Sequence, residues 1–195
     1  MKVAVPDIWK IVRGIDGQAG RIREWVGIVI HHGAGNFKAE RNDVQGYADY
    51  HTLPKEQGGR GYSDLGYHFG IEEDGGIWVS NQLEGGKARW IHQRPGGHTR
   101  ATASLDGRLA FAAGVNVACI GICFAGNFNE QDLPDPAFRT GVDLCVELLS
   151  RMNVNQSSVY PHNRFQVKDC PGKRFPMDGL LAAVGEGMRK RGAVS

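Results

Sequence analysis

The chain has 195 residues, of which 41% are hydrophobic and 23% charged, and its formal net charge is +2. That length supports one compact domain with its own core and is too short for two ordinary ones. With a pI near 8.4 the balance suits an anionic partner, but it is too weak to point to nucleic acid, and no Lys/Arg-rich run strengthens it.

Residues 1–24 are weakly patterned and read as an N-terminal arm or short helix ahead of a domain over 25–195. Pro6, Asp7 and Lys10 interrupt any apolar h-region, so no secretory signal peptide is expected. No stretch approaches the ~18 apolar residues of a membrane span, which argues against membrane insertion. There is no internal repeat, low-complexity tract or linker-like shift in composition.

The first clear element is the β-branched run Trp25-Val26-Gly27-Ile28-Val29-Ile30-His31-His32, ended by Gly33-Ala34-Gly35. It reads as a buried central strand. Residues 40–53 read as a helix, with Val44, Tyr47, Ala48 and His51 at i, i+3, i+4 and i+7, closed by Pro54 and Gly58-Gly59. Gly66 to Ile71 and Ile77 to Asn81 predict a hairpin around residues 72–76. Ala118 to Phe124 is a second apolar strand. The spacing predicts a helix over 136–152, capped by Asp135, with Phe138, Val142, Cys145, Leu149 and Met152 as its inner stripe. Ser158 to His162 reads as a last strand. A C-terminal helix follows, with Leu180, Leu181, Val184 and Met188 inward. Strands interleaved with helices over one core give a mixed α/β single domain.

Four cysteines could form two bridges. Cys119 and Cys123 share a strand, however, where four residues span roughly 13 Å, and bridging needs Cα atoms within about 7 Å. Reduced thiols, one of them a metal ligand, are the better reading.

The polar residues that end the apolar strands carry the most information about chemistry. His31 and His32 close the first strand, His162 closes the last, and Cys170 follows in Lys168-Asp169-Cys170-Pro171-Gly172. Two imidazoles and a thiolate with a fourth position left open form the arrangement of a catalytic zinc. On spacing alone, a core thiol and scattered surface histidines are the favoured reading of these residues. Period-2 alternation puts His31 and His32 on opposite faces, so one of them is the ligand, and alternation does not say which.

Five motifs recur in a recognisable order: Ile28-Val29-Ile30-His31-His32, Ser63-Asp64-Leu65-Gly66-Tyr67-His68-Phe69, Gly97-His98-Thr99, Asn116 with the run from Ile120 to Phe128, and His162 with the residues around Cys170. The chain thereby resembles the zinc amidases that include phage amidase-type lysozymes and animal peptidoglycan recognition proteins, over about residues 25–185. The resemblance implies a central mixed β-sheet flanked by helices, with a Zn2+ site in a groove at one sheet face. It implies His31, His162 and Cys170 as metal ligands, Tyr67 as the group assisting attack, and Lys168 as a stabiliser of the oxyanion. It places His98 and Asn116 along the substrate groove.

His68 and His32 read as packing or supporting groups, His51 and His92 as structural or surface residues, and Asp64 and Asp74 as turn residues. The link from Thr99 to Val115 is longer than the family pattern, and the cysteine pair of the animal recognition proteins is not evident. The activity implied is cleavage of the amide between N-acetylmuramic acid and L-alanine in peptidoglycan, in a phage or prophage endolysin held in the cytoplasm until its release to the wall. Two alternatives stand beside it. A cytoplasmic anhydromuropeptide-recycling amidase typically carries Asp in place of Cys170, and a non-catalytic peptidoglycan-binding module has typically lost a ligand.

Overall fold

The computed structural model describes residues 2–3, 26–33, 43–62, 65–79, 115 and 119–192. Within them the strands are β1 (Lys2–Val3), β2 (Gly27–His32), β3 (Phe69–Ile71), β4 (Ile77–Val79), β5 (Cys119–Phe124) and β6 (Val159–Pro161). They form one sheet in the order β1-β4-β3-β5-β2-β6. β3, β5, β2 and β6 run parallel, whereas β4 is antiparallel to both β3 and β1. The mixed sheet and its flanking helices are those expected. Lys2 and Val3 pair with Trp78 and Ile77, so the start of the arm adds an edge strand. The rest of the arm lies outside the described residues.

All six residues of β2 and of β5 are buried. Strands covered on both faces read as continuous apolar runs rather than alternating ones, which is why both were legible as central. They pair residue for residue from Gly27 with Cys119 to His32 with Phe124.

Helix α1 (Val44–Thr52) begins where Asp43 Oδ1 accepts from the Gly46 amide at 2.8 Å. Glu72 accepts from the Val44 amide at 3.3 Å, so two carboxylate side chains satisfy orphan donors of the first turn. Helix α2 (Asp135–Met152) departs from expectation at its start. Pro134 occupies the N-cap, Asp135 is the first helical residue, and no side chain caps the helix. Asp135 instead places a negative charge at the positive end of the helix dipole.

The inner face of α2 also differs. Ala137, Gly141, Leu144, Cys145, Leu148, Leu149 and Met152 are buried, while Phe138 and Val142 are only half-buried at its margin. Packing against both the sheet and helix α3 (Met177–Lys190) widens the buried arc beyond one stripe. On α3, Leu180, Val184 and Met188 are buried and Leu181 is half-buried.

The sheet therefore has two unlike faces. Ile28, Ile30, Ile120, Ile122 and Phe124 point to α2 and α3, where Phe124 and Phe128 meet Phe175 edge-on at 5.1 and 5.6 Å. Each such side chain contributes about 1.5–3 kcal/mol on burial. On the other face Cys123 packs with Val44, Tyr47, Leu65 and Ala125 under α1, and Tyr67 lies beside them. All four cysteines are free thiols and buried, as the reduced reading requires. No helix among the described residues is long and apolar enough to cross a membrane.

Candidate functional site

The site lies at the carboxyl ends of β2 and β6. Alternation along β2 sends His31 to the α1 face, in register with Cys123. His32 goes the other way and stacks on Phe128 at 6.0 Å. His162 begins a short 3-10 turn (His162–Arg164) directly after β6. Cys170 follows in a loop fixed by backbone bonds: the Asn163 amide donates to the Cys170 carbonyl at 2.8 Å, and the Arg174 amide donates to Phe128 at 2.8 Å. The Cys170–Pro171 peptide is cis. Gly172 has φ +107°, and a Cβ there would stand 2.5 Å from the Phe128 carbonyl carbon, so this turn requires glycine.

These elements bring His31, His162 and Cys170 together, with one ligand atom of each within 4.8 Å of the others. The Cys170 sulfur is 3.8 Å from His31 Nδ1, and the rings of His31 and His162 are 4.3 Å apart. All three residues are buried. Both nitrogens of His162 are buried without a hydrogen-bond partner, an arrangement that is costly unless something else fills it. Burial holds the His162 pKa down to about 4, with further lowering from Lys168, so the ring is neutral and its lone pair available. Burial pushes the Cys170 thiol up to about 12, against the lowering influence of the His32 backbone amide and Lys168. A cation is what would draw that proton off, and two neutral imidazoles plus a thiolate are a donor set suited to zinc.

A cavity of about 350 Å3 opens over this cluster, lined by Tyr67, Lys168, His162 and Cys170 with Tyr47, His51 and Asn129 among its walls. The Tyr67 ring is 5.1 Å from that of His31. Burial first, and then the neighbouring Cys123 and Cys170, raise the Tyr67 pKa, and its side chain is hydrogen-bonded to Cys123. Lys168 is exposed at the rim. His98 and Asn116, expected along the groove, lie outside the described residues, as do His92 and Asp64.

His68 is buried, and its Nδ1 accepts from the Gly121 amide at 2.8 Å, joining β5 to the residue before β3. His32 Nδ1 accepts from the Phe128 amide at 3.1 Å. Asp74 accepts from the Gly76 amide in the β3–β4 turn. These three do what the sequence predicts of them.

Three lining residues escaped the sequence reading. Tyr47 and His51 belong to the apolar stripe of α1, which marks a buried face without saying that it borders a cavity. The Tyr47 hydroxyl accepts from Gly126 at 3.1 Å, and its ring occupies the space a Cβ on Gly33 would need. His51 accepts from the Gly66 amide at 3.0 Å and lies 5.5 Å from Tyr67. Asn129 stands two residues after the Gly126-Asn127 turn that ends β5, and that proximity is the signal that would have found it.

The sequence matches the N-acetylmuramoyl-L-alanine amidase family over residues 21–173. It is 28% identical to peptidoglycan-recognition protein SC2 of Drosophila melanogaster over 149 residues, covering 74% of this chain and 66% of that protein. The fold is similar to the endolysin N-acetylmuramoyl-L-alanine amidase LysCS from Clostridium intestinale, with TM-score 0.56 and 24% identity over 82% of this chain and 84% of that one. It is likewise similar to peptidoglycan recognition proteins LCa and LCx in their ectodomain complex with tracheal cytotoxin, with TM-score 0.53, 20% identity and 78% coverage of each chain. At those identities the two structural likenesses speak for the fold, while the family match spans most of the sequence. The chain belongs to the N-acetylmuramoyl-L-alanine amidase family.

Proposed function

We propose that this chain is a zinc-dependent hydrolase that cleaves the amide between N-acetylmuramic acid and L-alanine in peptidoglycan. The observation that carries the reading is the convergence of His31, His162 and Cys170, with both His162 nitrogens buried and unpartnered beneath an open cavity. Zinc held by these three residues supplies Lewis-acid polarisation of the scissile carbonyl and activation of water.

The chain's own groups do the rest. Tyr67, half-buried with its ring beside that of His31 and its hydroxyl kept protonated, assists the attack by holding a proton at Oη. Lys168 brings a cationic Nζ to the cavity rim, where it stabilises negative charge developing on the carbonyl oxygen. The walls formed by Tyr47 and His51 exclude water from one side of the reacting amide. Among the described cavity residues Asp169 is the one carboxylate. Glu72 accepts from the Val44 amide at the α1 N-terminus and Glu73 from Gln131, and neither lines the cavity.

A thiol at position 170, where recycling amidases typically carry Asp, favours a wall-lytic role in a phage or prophage over muropeptide recycling. Incubating purified sacculi with the protein and analysing the products by mass tests this. Free stem peptides with an L-alanine N-terminus and uncut glycan are expected, with about one zinc per chain by metal analysis. New reducing ends would mean a glycosidase. Retention on sacculi without new amino groups would mean a binding module, and turnover confined to soluble anhydromuropeptides would mean a recycling enzyme.

A further inference from the structure

The loop that carries Cys170 is gripped from outside the proposed ligand set, chiefly by Asn129. The Asn129 side-chain amide donates to the Asp169 carbonyl at 3.3 Å, and its Oδ1 accepts from the Lys173 amide at 3.1 Å. Those two backbone groups flank Cys170 on either side, so one planar side chain spans the turn. Asn129 is itself fixed, because its own amide donates to Asn127 Oδ1 at 3.2 Å. The Asp169 carbonyl is also hydrogen-bonded to the His32 ring. Since His32 Nδ1 is taken by the Phe128 amide, the bond to Asp169 comes from Nε2. A histidine and an asparagine, on β2 and on the loop after β5, thus converge on the peptide group preceding the thiol.

From this geometry we propose that Asn129 is a positioning residue for the metal thiolate, setting where the Cys170 sulfur stands relative to His31 and His162. The inference rests on the zinc reading above. The physical reason is that the Cys170 segment has no regular secondary structure of its own, so side-chain bonds to its backbone stand in for a sheet ladder. Partners outside the ligand set hold ligand orientation and typically contribute 10–100-fold to metal affinity. Asn129 also borders the cavity and belongs to none of the apolar clusters among the described residues.

The test compares wild type, Asn129→Ala and Asn129→Gln for zinc affinity by chelator competition, for the thiolate-to-cobalt charge-transfer band of the cobalt-loaded protein, and for the melting temperature of the metal-free protein. Asn129→Ala is expected to bind zinc about 10–100-fold more weakly and to shift the cobalt band, with metal-free melting near wild type. Asn129→Gln, which keeps the amide but displaces it by a methylene, is expected to fall between. Unchanged zinc affinity and an unchanged cobalt spectrum in Asn129→Ala overturn the inference while leaving the zinc reading intact. So does a loss of zinc that merely follows a lowered metal-free melting temperature in both variants. A wild-type protein that binds no zinc overturns the proposed function, and this inference with it.

Discussion

The sulfur of Cys170 lies 3.8 Å from Nδ1 of His31 although 139 positions separate them in the chain. His31 is fixed by the central strand β2, and Cys170 by a loop that returns beyond β6, so the cluster exists only when the parallel pairing of β2 with β6 is complete. This long-range convergence makes the ligand assignment sharply testable.

Cys170→Ser is expected to lose most bound zinc, because a neutral hydroxyl is a far weaker ligand than a thiolate. Cys119→Ser, Cys123→Ser and Cys145→Ser are expected to keep about one zinc per chain, since these thiols lie in the packed interior rather than in the cluster. Metal analysis of the four purified variants decides it; full zinc in Cys170→Ser contradicts the site.

The two neighbouring histidines should behave differently. His31→Ala is expected to abolish zinc binding. His32→Ala is expected to retain zinc when metal is in excess, but to melt earlier, because the Phe128 amide loses its buried acceptor at a cost of about 1–3 kcal/mol. The reverse pattern would show that the ligand faces the α2 side of the sheet.

Tyr67→Phe and Lys168→Ala are each expected to lower turnover on sacculi by about 10²–10³-fold while zinc stays bound. Single-turnover rates read alongside metal content separate lost chemistry from lost metal. Near-normal rates in both variants would remove these residues from the mechanism.

Stability should fall with acid through His68. Burial holds this ring's pKa at about 4, below the ordinary 6.5, so it stays neutral in the folded chain where the unfolded chain has already taken up a proton. Between those values the unfolded state binds more protons, and stability drops by up to about 1.4 kcal/mol per pH unit for this group. Above pH 6.5 the group contributes no slope. Urea midpoints measured from pH 7.5 to 4.5 should show the decline in wild type, and a shallower one in His68→Asn, which retains an acceptor for the Gly121 amide without titrating in that range.

Much of this architecture was legible because β2 and β5 are apolar runs and α3 has a well-formed amphipathic stripe. The cluster itself was legible only through motif order, since His31, His162 and Cys170 have no spacing that encodes their meeting. Asp135 misled because a helix can start one residue earlier when Pro134 supplies the extended N-cap conformation. Phe138 misled because a two-sided packing partner turns a helix's buried arc away from a single-stripe estimate. Tyr47 and His51 were read as core, since the periodicity of a helix reports that a face is covered and not whether the cover is protein or a ligand-sized space. Asn129 carries no hydrophobic signal, and its role is set by contacts across 40 and 44 positions.

The place of Cys170 in the strand order has a consequence for biosynthesis. A nascent chain cannot assemble the three-residue cluster until residue 170 has left the ribosome and β6 has docked beside β2. Metal capture by the proposed site would therefore follow the emergence of residue 170, because shorter fragments hold at most two of its three donors. Timed metal incorporation during translation should place zinc uptake after the emergence of β6, as a mark that the sheet has closed.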